Sequence, residues 1–174
     1  LPNPVQGNYH KATNSEGKVE EFVVSPGGLP SAFVWKTVSD QYGKYSFVKV
    51  LSGEITPDTT LVNARTGETE KLGRLYAMCG KKSSEVKVLS CGDIGAIGKM
   101  DKVKTGDTLC DPRKVVSLKQ IPYPATCYSM AIAPKTRGQE EKVGTGLNRL
   151  NEEDPSFTLV NNAETKQLVL SGAG

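Results

Sequence analysis

The sequence predicts a mainly β chain in two parts, a closed β-barrel over residues 32–120 and a smaller α+β unit over residues 121–174. Three observations predict it. Short runs rich in β-branched and aromatic residues recur from Ala32 onward, separated by turn signals and never by a helical stretch. Pro122 and Pro124 punctuate the chain just beyond the last of these runs. After them the pattern changes to strand, helix, strand, strand, the first part of a split βαβ (ferredoxin-like) sandwich.

The elements follow in order. Residues 1–31 hold Pro2, Pro4, Pro26, Pro30 and the pair Gly27-Gly28, and only "VEEFVV" (19–24) has strand character, so this segment reads as a linker with a short hairpin. The barrel strands are "AFVWKTV" (32–38), "KYSFVKVLS" (44–52), "TTLVN" (59–63), "TEKLGRLYAM" (69–78), "SEVKVLS" (84–90) and "IGAIGK" (94–99). Turns fall at Gly43, Gly53, Pro57-Asp58, Thr66-Gly67, Gly80, Gly92-Asp93 and Gly106-Asp107. Gly73 and Gly95, inside strand-like runs, suit bulges or corners of a small sheet that closes on itself. In the second part "TCYSMAIAPK" (126–135) alternates, with Tyr128, Met130 and Ile132 on one face, as in a strand with one buried side. Residues 137–154 place Val143, Leu147 and Leu150 at i, i+4 and i+7, an amphipathic helix that Gly144 and Gly146 weaken by about 1 kcal/mol each relative to Ala. Pro155 ends it, and "FTLVNN" (157–162) with "KQLVLS" (166–171) reads as a hairpin.

Charge separates the parts. Of 22 basic and 19 acidic residues, 15 and 10 lie in 32–120, an excess that favours a polyanion-facing surface or a solvated face of mixed sign. Cys79, Cys91, Cys110 and Cys127 form no CxxC pair, and the single histidine, His10, is remote from them, which argues against zinc. They read as reduced thiols packed as small apolar groups in a cytosolic protein. No apolar run approaches the ~20 residues that span a bilayer, and no signal peptide opens the chain. A first residue of Leu suggests a piece of a longer protein.

"GAIGKMDKVKTGDTLC" (95–110) imitates nucleotide-binding motifs without completing one. A P-loop needs a glycine five positions before its Gly-Lys pair, where Asp93 stands, and a Ser or Thr after it, where Met100 stands. The guanine-reading motif needs an Asn where this chain has Gly98. One histidine and no G-x-S-x-G elbow leave no catalytic triad. Asp93, Asp101, Asp107 and Asp111 lack the spacing of a calcium loop and suit turn chemistry. The expectation is therefore no catalytic, cofactor-binding or metal-binding residue in this chain. Two features remain. The basic set Lys36, Lys44, Lys49, Lys71, Arg74, Lys81 and Lys82 is interleaved with Trp35, Tyr45 and Tyr76. Such a set grips RNA phosphates and stacks a base, or else it is a solvated barrel face with its aromatics in the core. The second feature is "NEEDPSF" (151–157), by itself a helix stop with Phe157 as a core residue.

The blocks "AFVWKTVSDQYGKYSFVKVLSGEI", "GRLYAMCGKKSSEV", "CGDIGAIGKMDKVKTGDTLCD", "AIAPKTRGQEEKVGTGLNRLNEEDPSF" and "ETKQLVLSGAG" together resemble the bacterial elongation factor G family and its paralogues, collinearly over 32–174. "GDTLCD", "EEDPSF" and the final "SGAG" are specific in combination, and "LPNP" (1–4) resembles the connector leaving the family's GTPase domain. Residues 5–31 are less typical. The resemblance implies a translation-factor β-barrel (domain II) over 32–120 and a truncated βαββ part of domain III over 121–174. Residues 1–31 would be the linker after a GTPase domain absent from this chain, and GTP and Mg would be bound there. It implies a cytoplasmic, ribosome-binding, non-catalytic part of a GTPase that promotes tRNA–mRNA translocation during polypeptide elongation. Its partners would be small-subunit rRNA and its own GTPase domain, with no membrane and no DNA. The rRNA-binding residues implied are Gly43, Lys44 and Tyr45, with Lys36, Lys49, Lys81 and Lys82 beside them. Tyr45 stands where many relatives carry an aliphatic residue. Asp154, Pro155 and Phe157 would lie near the interdomain pocket used by fusidic acid. The alternative implied is a ribosome-protection protein of the tetracycline-resistance kind, or another diverged paralogue. A truncated second unit is expected to pack loosely, to lean on the barrel or to associate between chains.

Overall fold

The computed structural model describes residues 3–6, 9–40, 43–80 and 82–174, the side chains of Tyr9 and Asp40 excepted. They form two compact units, Leu1–Gln120 and Ile121–Gly174.

The first unit opens with β1 (Tyr9–Asn14), β2 (Val19–Val23), β3 (Ser31–Asp40) and β4 (Gly43–Ser52). It continues through β5 (Glu54–Ile55), β6 (Thr60–Asn63), β7 (Thr69–Lys71), β8 (Leu75–Cys79) and β9 (Lys82–Val86). It closes with β10 (Leu89–Ser90), β11 (Ile94–Gly98), β12 (Thr108–Cys110) and β13 (Val116–Leu118). Eight of these make one antiparallel sheet in the order β7-β6-β12-β3-β4-β11-β8-β9, and β5 pairs with β10 beside it. Alternation along β4 shows how the sheet curls. Ser46, Val48 and Val50 are buried, while Tyr45, Phe47 and Lys49 between them are only half-buried. The inward residues of β3, β4, β5, β6, β8, β10, β11 and β12 share one cluster, from Val34 and Val48 to Ile97 and Leu109. A single sheet whose strands all face one cluster must wrap around it, which gives the barrel. Met100 and Val103, in the turn that mimics a guanine reader, belong to the same core, and that turn is structural.

Glycine is required where strands approach too closely for a side chain. A Cβ on Gly95 would collide with the Leu89 side chain and lie 2.9 Å from the Tyr76 carbonyl oxygen. One on Gly73 would lie 2.5 Å from the Gly98 carbonyl oxygen.

The GDTLCD block supplies the barrel's buried ion. Asp107 is 2% exposed. Its carboxylate accepts from Arg65 Nε at 2.6 Å, Arg65 Nη2 at 2.9 Å, Asn63 Nδ2 at 2.7 Å and the Lys104 amide at 2.9 Å. Of the other turn acids, Asp93 accepts from the Ser90 amide and Asp111 from Arg113, which lowers the Asp111 pKa to about 2.

Residues 1–31, expected as a linker carrying a hairpin, belong to the barrel's own unit. The hairpin β1–β2 pairs with β13 in a three-stranded sheet of order β13-β1-β2. Its Ala12 and Phe22 form a second core with Leu51, Cys110, Val116 and Leu118, against which Phe33 packs. Apolar residues with that many partners make a packed layer instead of a tether.

The second unit comprises β14 (Tyr128–Ile132), α1 (Glu140–Glu153), β15 (Thr158–Asn162) and β16 (Gln167–Gly172). Its sheet order is β14-β16-β15, antiparallel throughout. β14 and β15 are therefore parallel to each other with β16 inserted between them, the definition of a split βαβ unit. No residue from 121 to 174 is fully buried. Val143 and Leu147 of α1 are half-buried, but Leu150 is 54% exposed, and Tyr128 and Met130, expected on a buried strand face, are each 56% exposed. The helix begins at Glu140 and not at 137 because Gly138 holds φ at +85°.

Candidate functional site

The outer face of β3, β4, β11 and β8 carries Trp35, Lys36, Tyr45, Lys49 and Tyr76 of the sequence-predicted set. Cross-strand register puts Val38, Tyr45 and Gly98 in one row, and Lys36, Phe47, Ala96 and Tyr76 in the next. Phe33, Lys49 and Ile94 form the third. A bulge between Val34 and Lys36 leaves Trp35 as the extra residue, so Trp35 and Lys36 are exposed consecutively. The rings pair on this face. Trp35 and Phe47 have centroids 5.6 Å apart at 58°, and Tyr45 meets Tyr76 edge-on at 5.7 Å and 72°. None of these aromatics enters the barrel core, so of the two sequence readings the one with core aromatics is excluded.

The basic residues divide by partner. Lys71 is 2.9 Å from Asp58 and Arg74 is 3.6 Å from Glu85, so their charges are internally compensated. Among the described residues Lys36, Lys49 and Lys82 have no carboxylate partner within 4.0 Å. Gly43 (φ +129°) starts β4, and Lys44 Nζ donates to the Asp101 carbonyl at 3.2 Å. The Lys99 amide donates to the Lys44 carbonyl at 3.0 Å, so the 99–101 turn braces the start of β4. Lys82 is not part of this grouping. It pairs with Cys79, three positions along β8 from Tyr76 and away from the Tyr45 row, about 10 Å at strand rise. Lys81 lies outside the described residues. Phe47 and Phe33 were missed as surface groups, although the i, i+2 spacing of Phe47 with Tyr45 and Lys49 already put all three on one side.

In the second unit the 154–157 junction is firmly built. The Asp154 amide donates to the Leu150 carbonyl at 2.8 Å, and the Ser156 amide to Asp154 Oδ1 at 3.0 Å. Asn151 Nδ2 donates to the Phe157 carbonyl. Asp154 is extended at the helix end, Pro155 follows half-buried, and Phe157 is half-buried instead of a core residue. The cysteines also depart from expectation. Only Cys110 is buried, Cys91 is intermediate, and Cys79 and Cys127 are exposed. Cys79 ends β8 at its turn into β9, and Cys127 precedes β14 in a unit without a fully buried residue, so neither thiol reaches a core. Among the described residues no helix is long and apolar enough to cross a membrane.

Comparison with known proteins agrees with this architecture unit by unit. A family model described as "Elongation factor G domain 2" matches residues 30–112, and one described as "Elongation Factor G, domain III" matches residues 123–174. Elongation factor G 2 of Pseudoalteromonas translucida is 35% identical over the whole chain. Elongation factor G 1 of Synechocystis sp. is 34% identical, also over the whole chain. The chain spans 25% of the length of each of these relatives. A crystal structure of a protein from Thermus thermophilus superposes with a TM-score of 0.71 and 28% identity, covering 85% of this chain and 23% of that one. With both domain matches in collinear order and full-length alignment to these relatives, the chain belongs to the elongation factor G family, of which it carries the second domain and third-domain sequence.

Proposed function

We propose that this chain is a ribosome-binding, non-catalytic part of a cytoplasmic translational GTPase that promotes tRNA–mRNA translocation during polypeptide elongation. The observation that carries the reading is the outer barrel face, where Trp35, Tyr45, Phe47 and Tyr76 stand among Lys36 and Lys49, with Lys44 at the start of the same strand β4 next to Tyr45. Cations spaced along a strand pair match RNA phosphates, and the rings between them offer surfaces for a base or ribose. The β3–β4 start at Gly43-Lys44-Tyr45 is the proposed contact with small-subunit rRNA, Lys36 and Lys49 its flanks. Lys82 is a remote auxiliary, and Lys81 keeps its place from the family resemblance alone. GTP and Mg are proposed to bind in a domain of the parent protein outside this chain, whose residues supply positioning and no chemistry. Asp154, Pro155 and Phe157 are proposed to sit at an interdomain junction near the fusidic-acid pocket of the parent, a role that their braced geometry suits. The relatives named above are elongation factors G, which favours a translocase over a ribosome-protection protein.

Co-sedimentation with isolated small ribosomal subunits tests the reading. The wild-type chain is expected to pellet with subunits, and Lys44→Glu to remain in the supernatant. Failure of the wild type to bind, or indifference to the charge reversal, would contradict it.

A further inference from the structure

A cavity of about 280 Å³ opens on the same side of the barrel as Phe33 and Lys49, where the sheet β13-β1-β2 meets β3 and β4. Its floor is apolar, formed by Phe33, Leu51 and Leu118. Its rim carries Lys11, Lys49 and Lys119, and its wall the imidazole of His10. No carboxylate lines it, and none of the three lysines has an acidic partner within 4.0 Å among the described residues. His10 Nε2 is screened from water without a hydrogen-bond partner. Burial, and then the charge of Lys49, push the imidazole below its usual range, so at neutral pH the ring is an uncharged flat surface.

This combination is chemically selective. Three uncompensated ammonium groups around an apolar slot disfavour a cationic or purely aliphatic occupant and favour one with a flat apolar body between negative charges. The volume, at the low end of small-molecule sites (~300–1,000 Å³), admits one ring system and not an extended ligand. An unstacked base of single-stranded RNA has that form: a planar ring to lie against His10 and Phe33, flanked by phosphates for the lysines that β1, β4 and the end of β13 bring around the slot. The slot also continues the outer aromatic face, because Phe33 and Lys49 are cross-strand neighbours in its third row. Four of its seven lining residues, His10, Lys11, Leu118 and Lys119, lie outside the residues 30–112 matched as the second domain.

We propose that this cavity is a base-binding slot, in which one unstacked nucleotide of single-stranded RNA inserts between His10 and Phe33 with its flanking phosphates on Lys11, Lys49 and Lys119. The proposal rests on the reading of the barrel as RNA-binding and adds to it a defined pocket for a base.

His10 is the only histidine, so its imidazole ring-proton signals are assigned without ambiguity. The test titrates the chain with single-stranded hexa-adenylate RNA, with an abasic ribose-phosphate hexamer of equal charge, and with free AMP. Hexa-adenylate is expected to move the His10 signal upfield to saturation, the abasic hexamer to leave it in place, and AMP to act only at far higher concentration. The logarithmic salt slope for hexa-adenylate should be about −2 for three phosphates, falling by about 0.7 in Lys49→Ala and in Lys119→Ala. An abasic hexamer that moves the signal equally, AMP that saturates it at the hexamer's concentration, or lysine variants with unchanged slopes would each overturn the proposal. If hexa-adenylate leaves His10 unmoved while small subunits still bind, the slot alone is refuted. If subunit binding is lost as well, the RNA-binding reading falls with it.

Discussion

Asp107 meets all its donors from three different parts of the barrel, the end of β6, the turn after it and the 104–107 turn. Burial alone would raise its carboxyl. The hydrogen bonds from Arg65, the Lys104 amide and Asn63, together with the Arg65 charge, outweigh that and hold it below the ordinary carboxylate range. A carboxyl lowered in the folded state adds stability above the unfolded value of ~3.9, and this is lost as pH falls through the folded value. Asp107→Ala should therefore cost about 3 kcal/mol at pH 7, at the low end for a broken buried pair because Arg65 can turn to water. Urea unfolding from pH 7 down to pH 2 should show the gap between variant and wild type narrowing below pH ~4. A gap that stays constant would mean that the ion pair contributes nothing. Asp107 also shows what a motif alone cannot say: "GDTLCD" marked the family, but its partner Arg65 lies 42 positions away, visible only in the fold.

At the scale of elements, α1 is built against several local rules. It has no side-chain N-cap, acidic Glu152 and Glu153 in a last turn without a basic residue, and glycines at 144 and 146. A Cβ on Gly146 would meet nothing within 4 Å. Gly146→Ala is therefore expected to stabilise the second unit by up to about 1 kcal/mol, read as a higher unfolding midpoint of the helical circular-dichroism signal. A lower midpoint would show that position 146 needs glycine for a reason outside the helix. The helix, β14 and the β15–β16 hairpin were legible because their signals are local: a 3.6-residue stripe, alternation and Pro155. β3 and β4 were legible for the same reason. The hairpin β1–β2 was only half legible, since "YHKATN" has little apolar alternation. Its stability comes from pairing Ala12 with Leu118, more than a hundred positions later, which no local pattern reveals. The surface role of Phe47 was obscured in the same way, because alternation sorts residues to two faces without saying which one faces water.

Across the whole molecule, apolar burial is concentrated in the first unit. Ala32, Val34, Val48, Ile55, Leu61 and Ile97 are 0% exposed, whereas residues 121–174 contribute no fully buried side chain. Amides of β3, β4 and β11 should accordingly exchange with solvent far more slowly than those of β14, α1, β15 and β16 in a native hydrogen-exchange experiment. Equal protection in both units would show that the second gains its stability from something other than its own packing. The β3 bulge that exposes Trp35 and Lys36 and the pleat that turns out Tyr45, Phe47 and Lys49 are barrel geometry, and the proposed RNA contact is built on that geometry. The most direct test is the salt dependence of binding to small ribosomal subunits, measured by filter binding for the wild type and for Lys36→Glu, Lys44→Glu and Lys82→Glu. Lys36→Glu and Lys44→Glu should each weaken binding and flatten the logarithmic salt slope by about 0.7–0.9 or more, while Lys82→Glu, at the start of β9, stays close to wild type. Equal slopes for all four proteins, or a loss confined to Lys82→Glu, would contradict the assignment of this face.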